Sequence, residues 1–120
     1  MISIIQIQQT LDWNKIRGNT PDTLNLALEA DMLREEVQEF VDATSTVDQF
    51  DALLDLTFVL VGTLGKLGIS AQQISDGYDA VLEANNKKST TKNAAGKITK
   101  PADFVGPEAK LKAILNIPEE

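Results

Sequence analysis

The chain lacks cysteine and histidine altogether. It therefore has no disulfide framework, no thiol nucleophile, no zinc-finger site and no Ser-His-Asp triad. The di-iron bundle sites that require a Glu-x-x-His motif are excluded for the same reason. Any catalysis must use carboxylates, lysines, hydroxyls or a metal ion that prefers oxygen ligands.

Long hydrophobic runs and a basic leader are also missing. The longest apolar run, residues 52–67, is too short for a membrane span and is interrupted by Asp55 and Lys66. The N-terminus has neither the basic start nor the small-residue cleavage site of a secretory signal. We therefore expect a cytoplasmic protein with no membrane partner.

Positive charge is scarce in the first part of the chain. Residues 1–86 carry 4 basic and 14 acidic side chains, whereas residues 87–120 carry 7 basic and 4 acidic ones. An acidic body offers no basic footprint for phosphates, so we expect no nucleic acid polymer as a partner. A small polyanion remains a candidate ligand if metal ions bridge it to the carboxylates.

Apolar residues recur with helical spacing through residue 88. The caps and breakers predict helices over 3–17, 21–43, 46 to the glycines at 65 and 68, 70–88 and, in the tail, 107–115. In the second helix the predicted core stripe is Leu26, Ala30, Leu33, Val37 and Phe40. The sequence thus predicts one all-α domain over 1–120, with a four-helix-type core at about 3–88 and an irregular basic tail at 89–120. Such amphipathic helices leave apolar surface to cover, which favours a homodimer or homotetramer.

Three glutamates crowd the stretch LREEVQEFVDA, residues 33–43. Taken alone, Glu35, Glu36 and Glu39 are most often a solvated helix face. Asp55, in the middle of the apolar third helix, is harder to explain, because a buried carboxylate needs a partner. One solution is a salt bridge to a nearby cation of the first helix.

The other solution is a divalent cation. Packing of the second helix on the third brings Glu36 and Glu39 toward Asp51 and Asp55. Carboxylates that converge in this way suit Mg²⁺, with Mn²⁺ as a substitute, and leave open positions for water and phosphates.

The chain resembles the all-α nucleoside triphosphate pyrophosphohydrolases, the MazG-like and phosphoribosyl-ATP pyrophosphohydrolase-like superfamily. Its signature of E-E-x-x-E on one helix and E-x-x-D on the next is matched by LREEVQEFVDA and, in part, by DALLDLTFVLVGTLGKLGI. The segment YDAVLEANNKKSTTKNAAGKITKP resembles the family's last core helix and the loop after it. The similarity spans residues 11–115.

The resemblance implies a MazG-like bundle and Mg²⁺-dependent cleavage between the α- and β-phosphates of a nucleoside triphosphate, in nucleotide-pool cleaning. It implies catalytic roles for Glu35 and Glu36, and metal ligands at Glu36, Glu39, Asp51 and Asp55. The implied substrate contacts are Asn85, Lys88, Lys97, Lys100 and Trp13, although a lone tryptophan is more often a core residue.

One residue departs from the motif. The glutamate expected three residues before Asp55 is Ala52, so Asp51 or Asp48 takes over that role or the site has lost a ligand. Two alternatives therefore stay open. The first is a narrower relative that acts on dUTP or phosphoribosyl-ATP, and the second is a non-catalytic helical binding or assembly protein.

Overall fold

The computed structural model describes residues 2–118, so the first residue and the last two residues of the predicted domain lie outside the described residues. Its helices are α1 (Ile4–Ile16), α2 (Leu26–Asp42), α3 (Thr46–Lys66), α4 (Ala71–Asn85) and α5 (Glu108–Ile114), with a short 3-10 helix at Pro21–Thr23. Within the described residues no strand forms beyond one isolated bridge between Lys92 and Ile98. The predicted all-α class is confirmed.

The chain divides into two compact units, one of residues 2–71 and the other from Gln72 onward. The first unit contains α1, α2 and α3. Side chains cap each helix start: Ser3 accepts from the Gln6 amide at 3.1 Å, and Ser45 accepts from the Asp48 amide at 3.1 Å. These caps satisfy amide groups that have no partner inside the helix, which explains why the helices begin where they do.

The second predicted helix, 21–43, is wrong as a single element. The chain makes the 3-10 turn Pro21–Thr23, then runs extended through Leu24 and Asn25 before α2 begins. The Asn25 side chain accepts a hydrogen bond from the Leu28 amide at 3.2 Å, so a second cap starts α2 here. Pro21 therefore begins the short 3-10 helix and not α2.

Two glycines let α1 approach α3 closely. A Cβ atom added at Gly65 would lie 2.7 Å from Leu11 Cδ2, and one added at Gly62 would lie 3.1 Å from Asn14 Nδ2. Ile7 on α1 and Val61 on α3 are fully buried. Close packing of α1 thus depends on small residues on α3.

The predicted core stripe of α2 is wrong at three of its five positions. Leu26, Val37 and Phe40 are 67%, 46% and 39% exposed, whereas Glu29 is only 3% exposed. The glutamate is buried because an ion pair with Lys66 on α3 compensates its charge. The inward face of α2 therefore includes the row that carries Glu29 and Glu36.

The second unit contains α4 and α5. Lys110 on α5 forms an ion pair with Glu83 on α4 at 2.5 Å, and this pairing is the main reason that the pKa of Glu83 is lowered. The tail between these helices is less irregular than predicted. Ser89 donates its amide to the Thr99 carbonyl and Thr99 donates to the Thr91 carbonyl, each at 3.0 Å, which forms a small antiparallel hairpin.

No single described helix is long and apolar enough to cross a membrane, while α3 and α4 meet the length and composition requirement only when they are taken together.

Candidate metal and nucleotide site

Three carboxylates converge between α2 and α3. Glu36, Glu39 and Asp55 each place one carboxylate oxygen within 4.8 Å of the others, and we call this set the acidic cluster. Glu36 and Glu39 lie three residues apart on one face of α2, and Asp55 reaches them from α3. The prediction that these three side chains come together agrees with this geometry.

The chemistry of the acidic cluster fits a hard cation. Glu36 is half-buried, and its Oε2 atom is buried without a hydrogen-bond partner among the described residues. Burial, then the Glu39 side chain, and then the charges of Asp55 and Glu35 raise the pKa of Glu36. A divalent cation would give the unpartnered oxygen a ligand bond and offset the repulsion among the three carboxylates.

The environment of Asp55 differs from the prediction. The sequence predicts that Asp55 is buried inside the apolar helix, but its side chain is exposed. Among the ion pairs of residues 2–118, none joins Asp55 to Lys15 or Arg17. Asp55 is a candidate ligand because its carboxylate lies close to those of Glu36 and Glu39 on α2, and not because it is buried.

The remaining acidic candidates lie outside the acidic cluster. Glu35, Asp48 and Asp51 are exposed and do not belong to the set whose oxygens lie within 4.8 Å of one another. Ala52, at the motif's glutamate position, is buried, with 4% of its surface exposed. The assignments of Glu35 as catalytic and of Asp51 as a ligand stay predictions.

An aromatic pair lies near the acidic cluster along α3. Trp13 and Phe58 meet edge to face with ring centroids 5.0 Å apart, and Phe58 is one helical turn from Asp55. Arg17 covers the Trp13 ring at 4.1 Å from its centroid. Trp13 is 42% exposed, so it is neither a pure core residue nor a free platform.

A scan against protein-family models matches the phosphoribosyl-ATP pyrophosphohydrolase family over residues 6–85, two thirds of the chain. The chain belongs to the phosphoribosyl-ATP pyrophosphohydrolase family. This family is part of the MazG-like superfamily, so the resemblance found in the sequence is confirmed. A search of the curated proteins gives no match.

Family membership makes the chain a member of a group of metal-dependent pyrophosphohydrolases. The matched segment contains all three residues of the acidic cluster as well as Trp13. It ends at Asn85, so the three candidate lysines at 88, 97 and 100 lie outside it.

The other predicted substrate contacts belong to the second unit. The ammonium groups of Lys88 and Lys100 lie 5.9 Å and 5.3 Å from the centroid of the Phe104 ring, so one aromatic side chain brings both cations together. Lys97 is exposed in the hairpin, and the Asn85 side chain donates to the Val81 carbonyl at 2.8 Å. Their roles as substrate contacts stay predictions.

Sequence reasoning missed a second polar cluster between α2 and α3. Lys66 Nζ lies 3.0 Å from Glu29 Oε2, and Thr63 donates its hydroxyl to Glu29 Oε1 at 3.1 Å. We call these three residues the buried ion-pair cluster. Helical spacing places Glu29 on the same face of α2 as Glu36, but no local signal identifies Lys66 as its partner.

Proposed function

We propose that the protein is a Mg²⁺-dependent pyrophosphohydrolase that cleaves nucleoside triphosphates between the α- and β-phosphates. The products are a nucleoside monophosphate and pyrophosphate, as in nucleotide-pool cleaning. The observation that carries this proposal is the acidic cluster, which lies inside the segment matched by the pyrophosphohydrolase family.

The acidic cluster supplies the ligands in this proposal. Glu36, Glu39 and Asp55 hold Mg²⁺, with Asp51 as a fourth ligand and Mn²⁺ as a substitute ion. Mg²⁺ takes oxygen ligands and keeps several positions for water and substrate phosphates, so few carboxylates suffice. When bound, the ion neutralises phosphate charge and lowers the pKa of an attacking water.

Glu35 and Glu36 have the catalytic roles. Glu35 is exposed and next to the acidic cluster in the chain, so it is available to accept the proton of the attacking water. Whichever of these two glutamates is not fully occupied by metal holds or deprotonates the water. The water oxygen bonds to the α-phosphorus, the bond from that phosphorus to the bridging oxygen breaks, and pyrophosphate leaves.

Charge and aromatic surface support the proposed substrate contacts. Lys88, Lys97 and Lys100 donate to phosphate oxygens as point charges, and Asn85 contacts the sugar or base. Trp13 is 42% exposed, and a base can stack on its ring where Arg17 does not cover it.

Phosphoribosyl-ATP is the second candidate substrate, because the matching family model carries its name. It contains the same α–β anhydride, so the acidic cluster would perform the same chemistry on it. A dUTP-specific relative is the remaining narrow alternative, and a substrate panel separates the three.

We also propose that the chain forms a homodimer or homotetramer. Large apolar side chains on α2 and α3 are exposed in the single chain, among them Leu26, Val41, Val47, Phe50 and Leu54. A soluble monomer rarely exposes so many apolar side chains on adjacent helices, and a second copy of the same helices offers matching apolar surface. Light scattering on a sizing column should give a mass of two or four chains, and a mass of one chain would contradict the proposal.

The test of the proposed activity is product analysis by anion-exchange chromatography. The purified protein is incubated with ribo- and deoxyribonucleoside triphosphates and with phosphoribosyl-ATP, with Mg²⁺ and with chelator. We expect pyrophosphate and a monophosphate product in equal amounts, only with metal. If a panel that includes all these substrates gives no turnover, the non-catalytic binding or assembly protein becomes the better account.

A further inference from the structure

We propose that the buried ion-pair cluster positions the acidic cluster by fixing how α2 lies along α3, so that Glu36 and Glu39 meet Asp55. This inference rests on the proposed function, because it concerns the same divalent-cation site. Glu29, Lys66 and Thr63 are thus positioning residues, with no contact to substrate or metal.

The buried ion-pair cluster uses both oxygens of one carboxylate. Glu29 Oε2 pairs with Lys66 Nζ at 3.0 Å, and Oε1 accepts the Thr63 hydroxyl at 3.1 Å. Thr63 and Lys66 lie three residues apart on α3, so the carboxylate is held at two points of one helical turn. Glu29 and Lys66 are 3% and 7% exposed, which leaves water little access to loosen this geometry.

Stability alone does not account for such a cluster. Replacing a buried ion pair by apolar side chains of similar size is often neutral or stabilising, because removing two charges from water is costly. Apolar side chains are less effective at fixing one register between two packed helices. Buried polar contacts that fix the register of packed helices are the best-attested use of such pairs.

The two clusters lie in the same interface, between α2 and α3, at different positions along the helix axes. Seven residues on α2 separate Glu29 from Glu36, and eleven residues on α3 separate Asp55 from Lys66. Both spacings return to within about 20° of the same helix face. At a rise of about 1.5 Å per residue, they place the clusters roughly 10 to 16 Å apart along the helices.

The acidic cluster lies between two constraints. The short connection between α2 and α3, residues 43–45, joins the helices at one end, and the buried ion-pair cluster joins them toward the other. Between these, Glu36, Glu39 and Asp55 repel one another and favour separation of the helices. If α2 slipped along α3 by one helical turn, its carboxylates would move by about 5.4 Å. This movement is larger than the 4.8 Å within which the three oxygens lie, so the acidic cluster would come apart.

The test compares Mn²⁺ affinity, measured by electron paramagnetic resonance of the free ion, in three proteins. These are the unaltered protein, the double variant Glu29→Met/Lys66→Met, and a control that removes an exposed pair from α2, Asp31→Met/Arg34→Met. The double variant leaves no orphaned charge, and the Thr63 hydroxyl keeps its second acceptor, the Val59 carbonyl.

We expect the double variant to keep its melting temperature without metal but to bind Mn²⁺ at least about tenfold more weakly, the range seen when groups that orient metal ligands are removed. The control should bind like the unaltered protein. Thr63→Val, a milder change, should weaken Mn²⁺ binding in the same direction by less. Equal Mn²⁺ affinity in the double variant and the unaltered protein overturns the proposal, because a merely structural pair would not affect metal binding.

A second measurement does not need metal. The chain has no native cysteine, so spin labels at Ala27→Cys and Gln49→Cys report the distance between α2 and α3. Removing the buried ion-pair cluster should broaden or shift that distance distribution, and an unchanged distribution counts against the proposal. If the unaltered protein binds no Mn²⁺, the metal site of the proposed function fails, while this distance still decides the positioning role.

Discussion

The two polar clusters between α2 and α3 handle charge in opposite ways. In the buried ion-pair cluster, Lys66 compensates the carboxylate of Glu29 and water is almost excluded. In the acidic cluster three carboxylates face one another, and one oxygen of Glu36 is buried with no partner among residues 2–118. The same pair of helices therefore contains one site whose charge is compensated, the complete site, and one whose charge is not compensated, the incomplete site.

The difference shows what each site contributes. A compensated, buried pair makes the helix packing specific, while uncompensated carboxylates lower the stability of the metal-free protein. Such a cost is typical of functional sites, where ligand binding offsets it. The predictions below test this contrast from the largest expected effect to the smallest.

Breaking the complete site should have the largest effect on folding. Lys66→Met leaves Glu29 buried and unpaired, which should lower the free energy of unfolding by about 3–5 kcal/mol. Arg34→Met, which breaks the exposed pair with Asp31, should change it by about 1 kcal/mol or less. Urea unfolding of both variants measures the two changes in the free energy of unfolding. Similar changes would show that the Glu29–Lys66 pair contributes no more to stability than the exposed pair.

Breaking the incomplete site should affect activity and spare the fold. Asp55→Asn should reduce Mg²⁺-dependent hydrolysis by more than about 100-fold, since loss of a ligand exceeds the effect of losing groups that only orient ligands. Because this change removes one of three mutually repelling carboxylates, the free energy of unfolding of the metal-free variant should stay the same or rise. Asp42→Asn, at the exposed end of α2, is the matched control and should keep full activity. A large loss of metal-free stability in Asp55→Asn would reveal a structural role instead.

Completing the acidic cluster with metal should stabilise the native state. A ligand that binds only the folded protein adds about 2.7 kcal/mol at a concentration one hundred times its dissociation constant. We expect Mg²⁺ to raise the melting temperature of the unaltered protein and to have little effect on Glu36→Gln. The same increase in both proteins would place Mg²⁺ binding elsewhere.

The smallest effect concerns pH without metal. The pKa of Glu36 is raised in the folded state, so its protonated form favours folding and the ionised form opposes it. This stabilising contribution is present below the ordinary glutamate pKa and is lost as pH rises through the folded-state pKa. Glu36→Gln should therefore melt at a higher temperature than the unaltered protein at pH 7. That difference should shrink as pH falls toward the ordinary glutamate pKa, and a difference that grows on acidification would contradict the assignment.

Much of the architecture follows from local signals in the sequence. The helix starts at α1 and α3 have serine caps, and their ends have the expected glycines nearby, so these elements are predictable from residues within one turn. The break before α2 was missed because Thr20 and Asn25 are both good caps, and periodicity does not say that both are used.

The site was predictable in part for a different reason. Helical spacing places Glu36 and Glu39 on one face, and the packing of α2 on α3 brings Asp55 to them. The burial of Glu29 was not predictable, because it depends on Lys66, which lies 37 residues away in the chain. Periodicity treats a glutamate as an outward residue, and only the tertiary partner reverses that expectation.

The most direct test of the central claim is a count of bound Mn²⁺ ions in the unaltered protein, Glu36→Gln and Asp42→Asn, by electron paramagnetic resonance titration. If the acidic cluster is the divalent-cation site, the unaltered protein and Asp42→Asn should bind Mn²⁺ alike, and Glu36→Gln should lose that binding. Equal binding by Glu36→Gln, or none by the unaltered protein, would contradict the account.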